Sequence, residues 1–265
     1  MYAFTYHKAK DVKDAAAMLA KNADAKLLAG GQSLVAAMKL RLAAPPQLVD
    51  LGGIPALRGI KVDSKNVVIG AMTTHAEVAA SADVKKAIPA LAHLASEIGD
   101  RMVRNMGTLG GSIAHSDPAA DYPAAVLGLG ATIETSKRKI DADSFFKGLY
   151  ETALEPGEII TSVSFPIPKR AAYMKFKQPA SRFAMVGVMV ADMGKDMRVA
   201  VTGAGPCAFR VKEMEQALGK KFAPESVASI KVPDKGLNSD IHASAEYRAH
   251  LITVMAKRAV EAAMK

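Results

Sequence analysis

AGGQSLVAAMKLRLAAPPQLVDL, residues 29–51, sets a glycine pair between a short apolar run and an amphipathic one. Residues 26–29 read as a strand ending at Gly30 and Gly31, and 33–42 read as a helix with Leu34, Met38 and Leu42 on one stripe. Pro45 and Pro46 are expected to stop that helix, and 48–51 supplies another strand. Upstream, residues 3–6 alternate like a strand. Asp11 is placed to cap a helix carrying Val12, Ala15, Ala16 and Leu19 at i, i+3, i+4 and i+7. Residues 1–53 therefore read as one β-α-β-α-β unit.

Working outward, residues 54–168 form a second segment. It opens with strands at 59–62 and 67–72 and continues with a helix at 89–98. A glycine-rich irregular stretch at 101–121 follows, then a short helix at 123–129 and strands at 132–135, 139–141 and 159–165. Pro166, Pro168, Lys169 and Arg170 mark a linker. Residues 169–265 change character: three strands in a meander (173–178, 184–192, 198–202), then helices at 212–218 and 244–264. In the last helix Leu251, Met255 and Ala259 stack at i, i+4 and i+8. Strands followed by helices make this part α+β.

Composition excludes several function classes. The 265 residues are 50% hydrophobic, enough for a real core. Cys207 is the single cysteine, so there is no internal disulfide and no thiolate cluster for an iron–sulfur centre. The first residues lack a secretory apolar core, and the longest near-apolar stretch, 122–133, is too short to span a bilayer. A cytoplasmic protein without a membrane span is expected. The net charge of +9 is concentrated: residues 169–221 carry eleven basic against four acidic side chains. Such a face is either solvated surface or turned toward an anionic ligand or acidic partner. With no tryptophan and 5% aromatics, base stacking on nucleic acid has little support.

A second glycine pair stands in GTLGGS, residues 107–112, after Arg101 and Arg104. Consecutive glycines remove the Cβ atoms that would hold a ligand away from backbone N–H groups. A strand-to-helix junction aims those groups at one point, which suits a pyrophosphate. A lone glycine pair is usually an ordinary turn. Two such loops, with Ser33 and Ser112 beside them, carry more weight.

The segment 29–51 resembles the signature of the FAD-binding subunits of molybdenum hydroxylases, and within that family the medium subunit of aerobic carbon monoxide dehydrogenase. IGAMTTHAEV (69–78), RNMGTLGGSIAHSDPAADYPA (104–124), EPGEIITSVSFPIP (155–168) and YMKFKQPASRFA (173–184) continue the likeness in order along the chain. The resemblance implies a two-lobed FAD-binding domain of the vanillyl-alcohol-oxidase type, with lobes at 1–53 and 54–168, followed by a small C-terminal α/β domain at 169–265. It implies FAD as cofactor, bound by Ala29, Gly30, Gly31, Gln32 and Ser33 of the first loop and Thr108, Leu109, Gly110, Gly111 and Ser112 of the second. Asp121 matches an aspartate that hydrogen-bonds the cofactor, and Ile98 and Ile160 match apolar contacts to it. Lys177 matches a lysine near the flavin, where a cation stabilises negative charge on the reduced ring. Phe183 stands where the carbon monoxide dehydrogenase subunit has a tyrosine beside the isoalloxazine, which keeps the ring contact and loses the hydroxyl. Gln32 replaces a histidine and Ser112 an asparagine, and both keep polar capacity. The implied partners are an iron–sulfur small subunit, a molybdopterin large subunit and an external electron acceptor.

Other readings stay in view. GAGPCA, 203–208, fits a weak dinucleotide fingerprint, but Pro206 removes an N–H where a pyrophosphate needs donors, so a strand-end turn is the better reading. A nucleic-acid module rests on charge alone, and a standalone FAD-dependent oxidoreductase lacks a candidate substrate base. Asp117 is read as a turn residue before Pro118, His75 and His115 as ordinary hydrogen-bonded histidines, Met185 and Met189 as core filling, and Lys175 as a solvent-facing neighbour of Lys177.

Overall fold

The computed structural model describes residues 1–265. Strands Thr5–Lys8, Lys26–Leu28 and Gln47–Asp50 form a parallel sheet with the last strand in the middle. Parallel neighbours need crossover connections, which helices Val12–Lys21 and Leu34–Lys39 supply. Asp11 starts the first helix by accepting the Asp14 N–H at 2.8 Å. The second helix ends before the expected residue 42, and the proline pair is not what ends it. Arg41 turns left-handed (φ 61°), while the Leu42 N–H donates to the Ala37 carbonyl and the Arg41 N–H to that of Met38. That is the Schellman closure, which satisfies the last carbonyls and stops the helix locally.

A five-stranded antiparallel sheet follows, in spatial order Ile60–Val62, Asn66–Gly70, Ile160–Pro166, Thr132–Thr135 and Lys139–Asp141. Helices His75–Ala80, Ala82–Ala87, Pro89–Ser96, Leu109–His115 and Tyr122–Gly128 surround its main core, where Val67, Ile69, Leu91, Leu94, Leu109 and Val163 are fully buried. The stretch read as irregular holds two helices, Arg101–Met106 and Leu109–His115. The second begins at Thr108, whose hydroxyl accepts the Gly111 N–H at 3.2 Å. Glycines cost helix stability in isolation. Here a Cβ on Gly110 would lie 2.6 Å from the Ala71 Cβ, so close packing onto the neighbouring strand end compensates for the weak propensity.

Strands Arg170–Lys177, Ala184–Asp192, Met197–Thr202 and the short Phe209–Arg210 make an antiparallel meander. Helices Lys212–Lys220, Pro224–Ala228 and Ala245–Ala263 cover one face, burying Val186, Val188, Val190, Val199 and Val201. The opposite face belongs to the main core, through Tyr173, Met189, Ala191 and Ala200. A strand buried on both sides loses the alternation of a half-exposed one, which is why 184–192 reads as a continuous apolar run. Gly128 permits this approach, since a Cβ there would lie 2.9 Å from the Met189 Cβ. Met189 is core filling as expected, whereas Met185 is half-buried. The whole is an α+β chain, and no helix is long and apolar enough to cross a membrane.

Candidate functional site

The two glycine loops meet. Residues 29–33 join strand Lys26–Leu28 to helix Leu34–Lys39, and a Cβ on Gly30 would overlap the Met106 carbonyl oxygen and come within 2.8 Å of the Gly107 Cα. A Cβ on Gly111 would stand 3.3 Å from that of Ala29. Gly31 takes a φ of 71°, a left-handed conformation that glycine adopts freely. The glycines of the first loop thus serve loop-to-loop packing.

Their amides differ in availability. The N–H groups of Gly30, Gly31, Gln32 and Ser33 donate to no group in the chain. In the second loop the Leu109 N–H donates to the Thr73 carbonyl, that of Gly110 to the Ala71 carbonyl, and that of Ser112 to the Thr108 carbonyl. Gly111 serves the Thr108 cap, leaving the Thr108 N–H as the one unengaged amide of residues 108–112. Four consecutive unengaged donors beside a second, tightly packed loop suit an anion such as a pyrophosphate. The first loop supplies the donors and the second supplies the wall.

Asp121, Lys177 and Ile98 lie along the junction between lobe and C-terminal sheet. Asp121 is buried (4% exposed), and its carboxylate accepts from the Tyr173 hydroxyl at 2.6 Å. Lys175 Nζ lies 2.9 and 3.0 Å from its two oxygens and donates to the Glu97 carbonyl at 3.0 Å. Lys175 is therefore an interior cation with a 2% exposed side chain, not a solvent-facing neighbour. Its strand alternates faces, and residues 173, 175 and 177 all share the face turned to the lobe. Burial pushes the Asp121 carboxyl above its ordinary range, opposed by the Lys175 charge and the Tyr173 hydrogen bond. Lys177 is exposed and sits 3.4 Å from the Glu97 carboxylate.

Ile98 is half-buried beside this junction, and its carbonyl, like that of Gly99, accepts from Arg104 Nη1. Ile160 is 5% exposed within the main core. Phe183 is 50% exposed and borders a recess of about 270 Å³ with Asp117, Tyr150 and Met185. Asp117 makes the turn expected of it, accepting the Ala119 N–H. His115 stacks on Tyr150 at 5.0 Å. His75 differs from the ordinary hydrogen-bonded histidine expected: it is buried against Tyr122, and its Nδ1 has no partner. Burial, with the Arg104 charge adding to it, lowers its pKa to about 4.

The 203–208 motif is a turn between antiparallel strands. The Gly203 N–H donates to the Pro118 carbonyl at 2.7 Å, and Arg248 Nη1 donates to the carbonyls of Gly203 and Met185. Sequence reasoning overlooked Arg248, Glu97 and the Asp121–Lys175 pair. The two-residue spacing of Tyr173, Lys175 and Lys177 was the available signal for the last.

Comparison with known proteins identifies the family of both parts of the chain. Residues 2–168 match the family described as FAD binding domain in molybdopterin dehydrogenase, and residues 171–263 match the CO dehydrogenase flavoprotein C-terminal domain. The carbon monoxide dehydrogenase medium chain of Hydrogenophaga pseudoflava is 37% identical over 98% of this chain and 96% of its own. The nicotine 6-hydroxylase medium subunit of Paenarthrobacter nicotinovorans is also 37% identical, over 97% and 96%. Among solved structures, a chain of reconstituted CO dehydrogenase from Oligotropha carboxidovorans superposes with a TM-score of 0.91 at 35% identity, covering 99% of this chain and 98% of that one. With a matching domain pair along its length and relatives of 37% identity covered almost end to end, the chain belongs to the FAD-binding medium subunits of the molybdenum hydroxylases.

Proposed function

We propose that this FAD-binding oxidoreductase subunit is the flavin relay of a hetero-oligomer, standing between an iron–sulfur small subunit and an external acceptor, with substrate oxidised in a molybdopterin large subunit. The observation that carries the reading is the row of four unengaged amides at residues 30–33 packed against the 107–112 loop. Cys207 alone cannot hold an iron–sulfur cluster, and no group of three or more His, Cys, Asp or Glu side chains is arranged to hold a metal ion. Both facts support placing the other redox centres in partner chains. When bound, FAD supplies two-electron chemistry that can also proceed in single steps.

The chain's own residues orient and tune. The amides of Gly30, Gly31, Gln32, Ser33 and Thr108 donate to the pyrophosphate, with the Ser33 and Ser112 hydroxyls at the rim. Ala29, Leu109, Gly110 and Gly111 shape the wall. Ile98, Ile160 and Phe183 exclude water from the ring system, and Lys177 places a cation near it. The division into lobes at 1–53 and 54–168 and a domain at 169–265 gives each sheet its own segment. A cytoplasmic location is proposed with it.

The test is to assemble the complex by co-expression with its two partner chains and measure released flavin. One FAD per copy of this chain, lost when Gly30 is replaced, is the expected result. A complex that assembles with all three chains yet holds no flavin overturns the reading.

A further inference from the structure

Two clusters of ion pairs cross the junction between the C-terminal sheet and the FAD-binding lobe. One is a clasp in which Arg198 Nη2 and Arg210 Nη1 reach the Asp143 carboxylate. The other is the ladder of Tyr173, Lys175 and Lys177. In it the Lys175 ammonium donates to Asp121 Oδ2 and to the Glu97 carbonyl, each at 3.0 Å, and lies 2.9 Å from Asp121 Oδ1. Its side chain is 2% exposed, which places it inside the junction rather than at its surface. Asp121 in turn is shielded from solvent and already takes the Tyr173 hydroxyl.

The same ladder connects to the cofactor loops through one stretch of chain. Glu97 precedes Ile98 and Gly99, whose carbonyls are tied to Arg104, and that helix ends at Met106 and Gly107 against Gly30. Two residues beyond Lys175 stands Lys177, and the hairpin beyond it carries Phe183. Lys175, Lys177 and Phe183 are thus carried by one hairpin whose first strand is anchored at Asp121 and Glu97.

We propose that Lys175 is a positioning residue for the flavin. Through Asp121 and the Glu97 carbonyl it sets where Lys177 and Phe183 stand relative to the amide loop, without touching the cofactor. This rests on the flavin-relay reading above.

The experiment uses the assembled complex, with FAD affinity, two-electron midpoint potential and thermal midpoint read for each variant. Absence of FAD binding in the unaltered complex would sink the relay reading rather than this one. For Lys175→Met the expected result is at least a tenfold loss of FAD affinity. Reduced flavin should lose a further tenfold relative to oxidised flavin, which lowers the potential by about 30 mV. The double variant Lys175→Met/Asp121→Asn, which leaves no lone buried charge, should recover thermal stability but neither affinity nor potential. Tyr173→Phe, which keeps the ion pair, should cost only a few-fold in affinity, and it reports even where Lys175→Met fails to assemble. Asp143→Asn, at the other clasp, should lower the thermal midpoint and leave the potential unchanged.

Three results overturn the proposal. One is recovery of affinity and potential in the double variant, which would make Lys175 a mere counter-charge. Another is loss of affinity on Asp121→Asn with none on Lys175→Met, which would show that Asp121 acts on the flavin without Lys175. The third is an equal shift of potential from Asp143→Asn.

Discussion

Replacing Gly30 by alanine tests the packing of the two glycine loops most directly. The added methyl would overlap the Met106 carbonyl oxygen and approach the Gly107 Cα, both backbone atoms that cannot rotate away. Either the 29–33 loop or the 106–107 turn must shift, and overpacking of this kind costs about 1–3 kcal/mol in stability. The larger effect falls on the ligand. A hydrogen bond to a charged group is worth about 1.5–3 kcal/mol, so losing one amide–phosphate bond lowers FAD affinity by roughly 10- to 150-fold. The assay is titration of flavin-depleted complex with FAD, followed by flavin fluorescence, beside the thermal midpoint. Gly219→Ala is the matched control. Its Cβ meets nothing within 4 Å near the end of helix Lys212–Lys220, so it should stabilise by about 0.5–1 kcal/mol and leave FAD affinity alone. Unchanged FAD affinity in Gly30→Ala would refute the reasoning, because the loops would then have room to spare.

Other perturbations follow from the same contacts. The His75 pKa is about 4 in the folded chain against an ordinary 6.5, so the unfolded chain binds the additional proton between those values. This contribution to stability is intact above pH 6.5 and is lost as pH falls to about 4. His75→Leu removes no hydrogen bond at Nδ1 and should flatten that part of the profile; urea midpoints that fall in parallel for both proteins would contradict it. Arg198→Met removes a buried donor to the Leu127 carbonyl and the link to Asp143, and should destabilise by about 1–3 kcal/mol in urea unfolding. A midpoint equal to that of the unaltered chain would show that the clasp contributes nothing.

Much of the architecture was legible because periodicity and turn residues are local. The longer strands of the three main sheets fall within a few residues of where alternation and apolar runs place them, whereas the short strands Phe209–Arg210, Phe146–Gly148 and Glu151–Thr152, the last two a separate hairpin, were not expected. What escaped was of two kinds. Some signals were present and unread: Thr74 and Glu77 form a capping box, and Asp100 accepts the Val103 N–H to start the helix that follows. Others are not local at all. The helix Leu109–His115 persists because Gly110 packs on Ala71, a contact that glycine content alone argues against. In the same way, the glycine motifs marked both loops, yet nothing in GTLGGS tells that its Leu109 and Gly110 amides are engaged by Thr73 and Ala71. Lys175 was misread for a similar reason. A lysine on a basic strand defaults to solvent, and only the fold brings Asp121 and Glu97 to it.

The central strand Ala184–Asp192 has Val186, Val188 and Val190 in one apolar core and Met189 and Ala191 in another. Such a party wall has a mechanical consequence. A swing of the C-terminal part about the 166–169 connection would strip one of those cores and expose it to water, so hinge motion on that scale approaches the cost of unfolding. Adaptable surface is then left to the loops, where Gln32, Ser33 and Phe183 are exposed. Amides of that strand should accordingly be among the slowest in the chain to exchange with deuterium, with or without flavin.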